Sequence, residues 1–94
     1  MPHWYVYVVR CSDGSLYTGA TTDVEREMKT MNGGGGSVYV RARAPVFLAY
    51  TEEYMNEHDA LKRAASVKRL GRVGKERLLV APGFGAIGDL GLAT

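Results

Sequence analysis

The chain has little cysteine and no long apolar run, and these shortages argue against an internal disulfide and against a membrane span. Among its 94 residues Cys11 is the one cysteine, so an internal disulfide is impossible and a reducing cytoplasm is the expected environment. No apolar stretch approaches the ~20 residues of a membrane span. The N-terminus lacks the basic and apolar regions of a signal peptide. We therefore expect a cytoplasmic protein with no membrane partner.

Histidine is also scarce, which argues against the common zinc sites. His3 and His58 are distant in sequence, and together with Cys11 they give no zinc-binding spacing. The sequence therefore predicts no metal site of its own. Cys11 is expected to be a buried residue at a strand end rather than a reactive thiol.

The composition is that of a soluble globular domain, with 46% hydrophobic and 23% charged residues. The net charge is only +2, but the cations are clustered. Clustered cations suit a polyanion such as a nucleic-acid backbone, although a solvated helix face accounts for them equally well from charge alone. The residues assigned to a nucleic-acid surface are Arg41, Arg43, Lys62, Arg63, Lys68, Arg69 and Arg72.

The first part of the chain predicts a β-hairpin followed by a helix. Residues 3–10 are aromatic and β-branched, and the Asp-Gly pair within residues 12–15 is a strong turn signal. Residues 16–20 return as the second strand. Thr22, with a glutamate three residues later, matches a capping box, which predicts a short helix over residues 23–31.

The second part predicts one more strand and two helices. The four glycines at 33–36 indicate a plain loop, residues 38–43 a short extended piece, and residues 46–51 a third strand. Asn56 is the expected N-cap of a helix that runs to Leu70, with Gly71 closing it. A last short helix is predicted around residues 75–80.

This element order predicts an α/β (α+β) domain in which helices cover a three-stranded sheet. Ala60, Ala64 and Val67 share one face of the longer helix and are expected to pack on that sheet. The domain is expected to occupy residues 1–82. Residues 83–94 are glycine-rich and are expected to form a flexible tail.

Several motifs in this order resemble one known family. The YVY tripeptide at residues 5–7 and the YTG tripeptide at residues 17–19 resemble the paired elements of the GIY-YIG nuclease superfamily. The resemblance covers roughly residues 3–80 and is strongest to the small stand-alone bacterial members. The further segments that carry it are ATTDVER at 20–26, RARAPV at 41–46, ALKR at 60–63 and KRL at 68–70.

The resemblance implies an antiparallel three-stranded sheet and hydrolysis of a DNA phosphodiester with one divalent metal such as Mg²⁺. In that scheme a tyrosine helps to activate water, and an arginine on the first helix stabilises the developing phosphate charge. A glutamate on the second long helix holds the metal. Carried onto this chain, the retained family positions are Tyr7, Tyr17 and Gly19.

Three other family positions carry different residues here. The first-helix arginine falls at Glu27, which reverses the charge, and a histidine common in small members falls at Met31. The metal-binding glutamate falls at Ala64, and one helical turn away stand Ala60 and Lys68. These changes predict loss of metal-dependent cleavage, with at most weak and salt-sensitive DNA binding remaining.

Two alternative functions stay open at this point, as does the origin of the changes. The chain could be an active metal-dependent endonuclease if a replacement site forms around Glu27. It could also be a scaffold redesigned to bind a small ligand or a protein. The changes fit either a natural relative without catalysis or a deliberately edited scaffold. The residues that would line a more apolar cleft are Glu27, Met28, Met31, Val38, Val40 and Ala64.

Overall fold

A computed structural model describes residues 3–80 of the chain. The three strands form one antiparallel sheet in the order β2-β1-β3, so the predicted fold class is confirmed. The predicted tail, residues 83–94, lies outside the described residues. Within residues 3–80 no helix combines the length and apolar character needed to cross a bilayer. The elements are β1 Trp4–Cys11, β2 Leu16–Thr21, α1 Val24–Asn32, α2 Val38–Arg41, β3 Val46–Tyr54, α3 Glu57–Lys68 and α4 Gly71–Leu79.

One side of the sheet is covered by α3 and α4, and we call it the α3 face. Side chains alternate along a strand, so Val6 and Val8 of the central strand β1 point to this side. Val6 packs with Ala60 and Ala64, and Val8 packs with Val67. The predicted apolar face of α3 is thereby confirmed.

The other side of the sheet is covered by α1 and α2, and we call it the tyrosine face. Tyr7, Val9 and Cys11 of β1 point to it and pack with Met31 of α1 and Val40 of α2. Cys11 is 3% exposed, which confirms that it is a buried strand-end residue. The β-branched and aromatic residues of β1 thus supply both core layers.

The helix starts are set by short polar side chains. Asn56 caps α3 as predicted, because its side chain accepts a hydrogen bond of 2.9 Å from the backbone N–H of Asp59. The capping box predicted at Thr22 is wrong by one residue. Asp23 is the N-cap of α1 and accepts from the backbone N–H of Arg26 at 3.0 Å.

The extended segment predicted at residues 38–43 is also wrong, because Val38–Arg41 form the short helix α2. The side chain of Ser37 accepts a hydrogen bond from the backbone N–H of Val40 and so caps this helix. Val40 is 0% exposed in the core. Burial of one valine in a capped turn therefore outweighs the strand preference of the segment.

The last two helices are joined more closely than expected. α3 ends at Lys68, and Gly71 begins α4 instead of closing α3. Gly71 adopts φ +73°, a left-handed conformation that favours glycine, and this allows the chain to turn directly into the next helix. The predicted helix at 75–80 is thus confirmed in type but starts earlier. Its Leu78 and Leu79 pack on the α3 face.

Candidate functional site

The three retained family positions lie together on the tyrosine face. Tyr7 of β1 stands directly across from Gly19 of β2, and Tyr17 lies two residues earlier on the same side of β2. A Cβ at Gly19 would lie 2.6 Å from the Cζ atom of Tyr7. A side chain at position 19 would therefore displace the Tyr7 ring from its place over Gly19.

Glu27 is the nearest charged partner of Tyr7. The Tyr7 hydroxyl donates to Oε1 of Glu27 across 3.4 Å, a long hydrogen bond. Burial, then the charge of Glu27, then the neighbouring Tyr17 raise the pKa of Tyr7 well above its ordinary value. The raised pKa keeps the Tyr7 hydroxyl protonated at neutral pH, so it can donate this hydrogen bond.

We predict that Glu27→Gln lowers the pKa of Tyr7, because the negative charge that opposes its ionisation is removed while its burial remains. A pH titration of the ring by NMR with ¹³Cζ-labelled tyrosine measures this. Glu25→Gln is the matched control, since Glu25 lies on the same helix and is exposed. An unchanged Tyr7 titration in Glu27→Gln would show that the carboxylate does not act on this hydroxyl.

An aromatic stack fixes Tyr17 on the same face. The rings of Tyr17 and Tyr39 stack with centroids 5.9 Å apart and planes 25° from parallel. The Cζ atom of Arg43 lies 3.8 Å from the centre of the Tyr39 ring, a cation–π contact. Nε of Arg43 donates to Asp13 at 3.0 Å. Sequence reasoning missed Tyr39, whose pairing with Arg43 at helical i,i+4 spacing was hidden by the strand interpretation of this segment.

The altered positions are not brought together. Met31 is 2% exposed in the core under Tyr7, whereas Ala64 packs against Val6 on the opposite face of the sheet. Val40 is fully buried and Val38 is 74% exposed. The apolar cleft proposed from these positions is therefore wrong, because its residues fill the core, face solvent or lie across the sheet.

The side chains present do not fit a divalent metal. Among residues 3–80 no group of three or more His, Cys, Asp or Glu side chains could hold one. Ala64 offers no ligand atom, and Glu27 is already a hydrogen-bond partner of Tyr7. A longer side chain at position 64 would have to extend past the edge strand β2 to reach the tyrosine face.

The predicted basic surface is reduced by internal ion pairs. Nε and Nη2 of Arg63 each donate to Glu52 at 2.9 Å, and these side chains are 32% and 19% exposed. The guanidinium group of Arg63 is thus engaged by Glu52 and is less available to a nucleic acid than its charge alone suggests. Arg43 is paired with Asp13, and Arg72 lies 3.8 Å from a carboxylate oxygen of α4. The members of the predicted set without an ion pair in residues 3–80 are Arg41, Lys62, Lys68 and Arg69.

Comparisons with known proteins agree with the family that the sequence motifs resemble. The model of the GIY-YIG catalytic domain matches residues 3–76. A UPF0213 protein of Halobacterium salinarum is 46% identical over 74 residues, which are 79% of this chain and 96% of that protein. A UPF0213 protein of Streptococcus agalactiae is 48% identical over 71 residues, covering 76% of this chain and 81% of that protein.

Solved structures agree with these sequence matches. The solution NMR structure of a UPF0213 protein from Bacillus halodurans has a TM-score of 0.56 at 41% identity and covers 86% of each chain. The solution NMR structure of a protein from E. faecalis has a TM-score of 0.62 at 34% identity and covers 95% of each chain. With its two tyrosines and its glycine on one face of a three-stranded sheet, this chain belongs to the GIY-YIG family, alongside small UPF0213 proteins.

Proposed function

We propose that this domain binds nucleic acid weakly and does not cleave it by a metal-dependent route. The observation that carries the proposal is the carboxylate of Glu27 beside the Tyr7 hydroxyl. At this position the family pattern has an arginine that would face a phosphate in transfer. A carboxylate repels the same phosphate, so the substitution opposes the step that the arginine would assist.

The absence of a metal ligand at position 64 also opposes cleavage. A metal ion in this family would neutralise charge on the phosphate and activate water, and Ala64 cannot hold it. The raised pKa of Tyr7 also makes this tyrosine a poor general base near neutral pH. What remains is a folded domain with exposed cations. A cytoplasmic location is part of this proposal and is supported by the single cysteine.

Incubation of the protein with plain and branched DNA, in the presence of Mg²⁺ or Mn²⁺, tests the loss of cleavage. We expect no product above background, because neither the cation nor the metal ligand is in place. Tyr17→Phe is the control that separates this protein from a contaminating nuclease. Metal-dependent product that disappears in Tyr17→Phe would contradict the proposal and favour an active endonuclease.

The same preparation tests binding through its salt dependence. Each neutralised phosphate contact changes the slope of log affinity against log salt by about 0.9 on duplex DNA. We therefore expect Lys62→Gln/Lys68→Gln to have a clearly shallower slope than the unmodified protein. Affinity that does not respond to salt, or no binding at low salt, would count against a nucleic-acid partner.

A further inference from the structure

A pocket of about 270 Å³ lies at the edge of the sheet, beside β2. We call it the edge pocket. It is formed where the β1–β2 turn, α2 and the first turn of α4 meet, and none of the family positions considered above lines it. Its lining residues are Ser15, Leu16, Tyr39, Gly71, Arg72 and Lys75.

The electrostatics of the edge pocket favour an anion. Arg72 and Lys75 line it. Partial burial, and then the nearby charge of Lys68, lower the pKa of Lys75. A bound anion would stabilise the charged form of Lys75, which the free protein disfavours. Glu76 lies 3.8 Å from Arg72, but its carboxylate also accepts two hydrogen bonds from Arg10, at 3.0 and 2.7 Å, so one negative charge faces three cations. The local charge is therefore positive.

The aromatic ring in the pocket indicates which part of a nucleotide would fit. The ring of Tyr39 already stacks with that of Tyr17, and the guanidinium group of Arg43 lies over it. A base that stacked on Tyr39 would therefore compete with these two contacts. Two cations beside a ring that already has stacking partners suit a phosphate group, which needs charge and hydrogen-bond donors, better than a base.

We propose that the edge pocket binds a phosphate group of a nucleic-acid strand through Arg72 and Lys75. The assignment of the phosphate to a nucleic acid rests on the proposed function, whereas the preference of the pocket for phosphate does not. Arg72 is held in place by a hydrogen bond of 3.2 Å from Nη2 to the carbonyl oxygen of Gly14. The turn thus orients one cation, and α4 carries both. A strand held here would continue along β2 toward Tyr17.

A titration of the unmodified protein with inorganic phosphate tests the pocket without any DNA. In ¹H–¹⁵N NMR spectra we expect the largest amide shifts at Ser15 and at residues 71–75, which surround the pocket. The amides of β3 serve as the internal reference because they do not line it. Shifts that are absent, or that are spread evenly over the exposed lysines and arginines, would overturn the proposal.

Charge-removing variants on one helix test the role of the pocket in strand binding. We expect Lys75→Gln to weaken binding of a short single-stranded oligonucleotide about tenfold at low salt, the effect of losing one charged hydrogen bond. Arg77→Gln is the matched control, since Arg77 lies on the same helix but does not line the pocket, and we expect it to change affinity less than about twofold. Thermal unfolding of both variants verifies that they are folded. Equal losses in the two variants would overturn the proposal.

Two oligonucleotides that differ only by a 5′-phosphate show whether the pocket binds an internal phosphodiester or a terminal phosphate. Equal affinities that both depend on Lys75 assign the pocket to an internal phosphodiester. Tighter, Lys75-dependent binding of the phosphorylated strand assigns it to a terminal phosphate, and either result supports the proposal. If inorganic phosphate shifts the pocket amides but no oligonucleotide binds, the pocket stands and the proposed nucleic-acid function fails.

Discussion

The double variant Glu27→Arg/Ala64→Glu is expected to cleave DNA in the presence of Mg²⁺ at least about 10²-fold faster than the unmodified chain. The arginine would replace a repulsive carboxylate beside Tyr7 with a group that stabilises the developing phosphate charge. The glutamate would supply the missing metal ligand. A time course with labelled duplex and branched DNA measures the rate.

The position of Ala64 sets a geometric condition for this result. Ala64 packs against Val6 on the α3 face, close to Ala20 of β2, whereas Tyr7 lies on the other face. β2 is an edge strand, and its Gly19 has no side chain. A glutamate at position 64 would have to extend past this edge to the tyrosine face, and the expected cleavage depends on this reach.

Glu27→Arg/Ala64→Gln is the matched control for this experiment. Glutamine has nearly the same size and reach as glutamate but lacks the charge that holds a divalent metal. We expect this control to remain inactive while it retains its fold by circular dichroism. Equal rates in the two double variants, or no cleavage by a folded Glu27→Arg/Ala64→Glu, would show that position 64 is not the metal-ligand position.

Glu52→Gln is expected to lower the free energy of unfolding by about 2–3 kcal/mol, less than the 3–5 kcal/mol of a fully buried broken pair, because Arg63 and Glu52 keep some solvent exposure. Glu52 accepts two hydrogen bonds from Arg63 and further ones from the hydroxyls of Tyr50 and Tyr54. The substitution leaves the half-buried guanidinium group of Arg63 without an opposing charge. It therefore weakens the attachment of α3 to β3.

Urea unfolding of both proteins measures this loss. Glu53→Gln is the control, because Glu53 is the next residue on β3, is exposed and contacts His3 alone among the ion pairs of the described residues. We expect it to change stability by less than about 0.5 kcal/mol. If both variants lose the same amount, the network around Glu52 contributes no more than a surface charge.

The pH dependence of stability provides an independent test of the same network. Burial would raise the pKa of Glu52, but hydrogen bonds from Arg63, Tyr50 and Tyr54 outweigh it and hold this pKa below its usual 4.5. A lowered pKa stabilises the fold above about pH 4.5, and this contribution is lost as the pH falls through the folded-state value. Stability should thus fall less steeply below pH 4.5 in Glu52→Gln than in the unmodified protein.

Local signals were sufficient to predict most of the fold. The Asp13-Gly14 turn between two β-branched segments predicts the hairpin, and Asn56 marks the start of α3. The segment at 38–41 was misread because valine and tyrosine favour strands, while the signal that decides its structure is the Ser37 cap together with burial of Val40. A strand preference does not reveal that a single buried side chain holds a helical turn.

The candidate site was only partly predictable for a similar reason. Tyr7, Tyr17 and Gly19 could be grouped because their motifs resemble the paired elements of the GIY-YIG family. The pairing of Arg63 with Glu52 could not be predicted, since the two residues lie on different elements and their contact depends on how α3 packs on β3. A count of cations therefore overestimates the surface that is free to bind a polyanion.

Because Cys11 is buried, alkylation of its thiol reports local opening of the tyrosine face. Cys11 is 3% exposed and lies at the end of β1, paired with Val46, so a maleimide or iodoacetamide reagent reaches its thiol only when this end of the sheet separates from α1 and α2. The alkylation rate therefore measures how often the tyrosine face opens in solution. A second cysteine, placed on the surface, would be labelled selectively in the closed state.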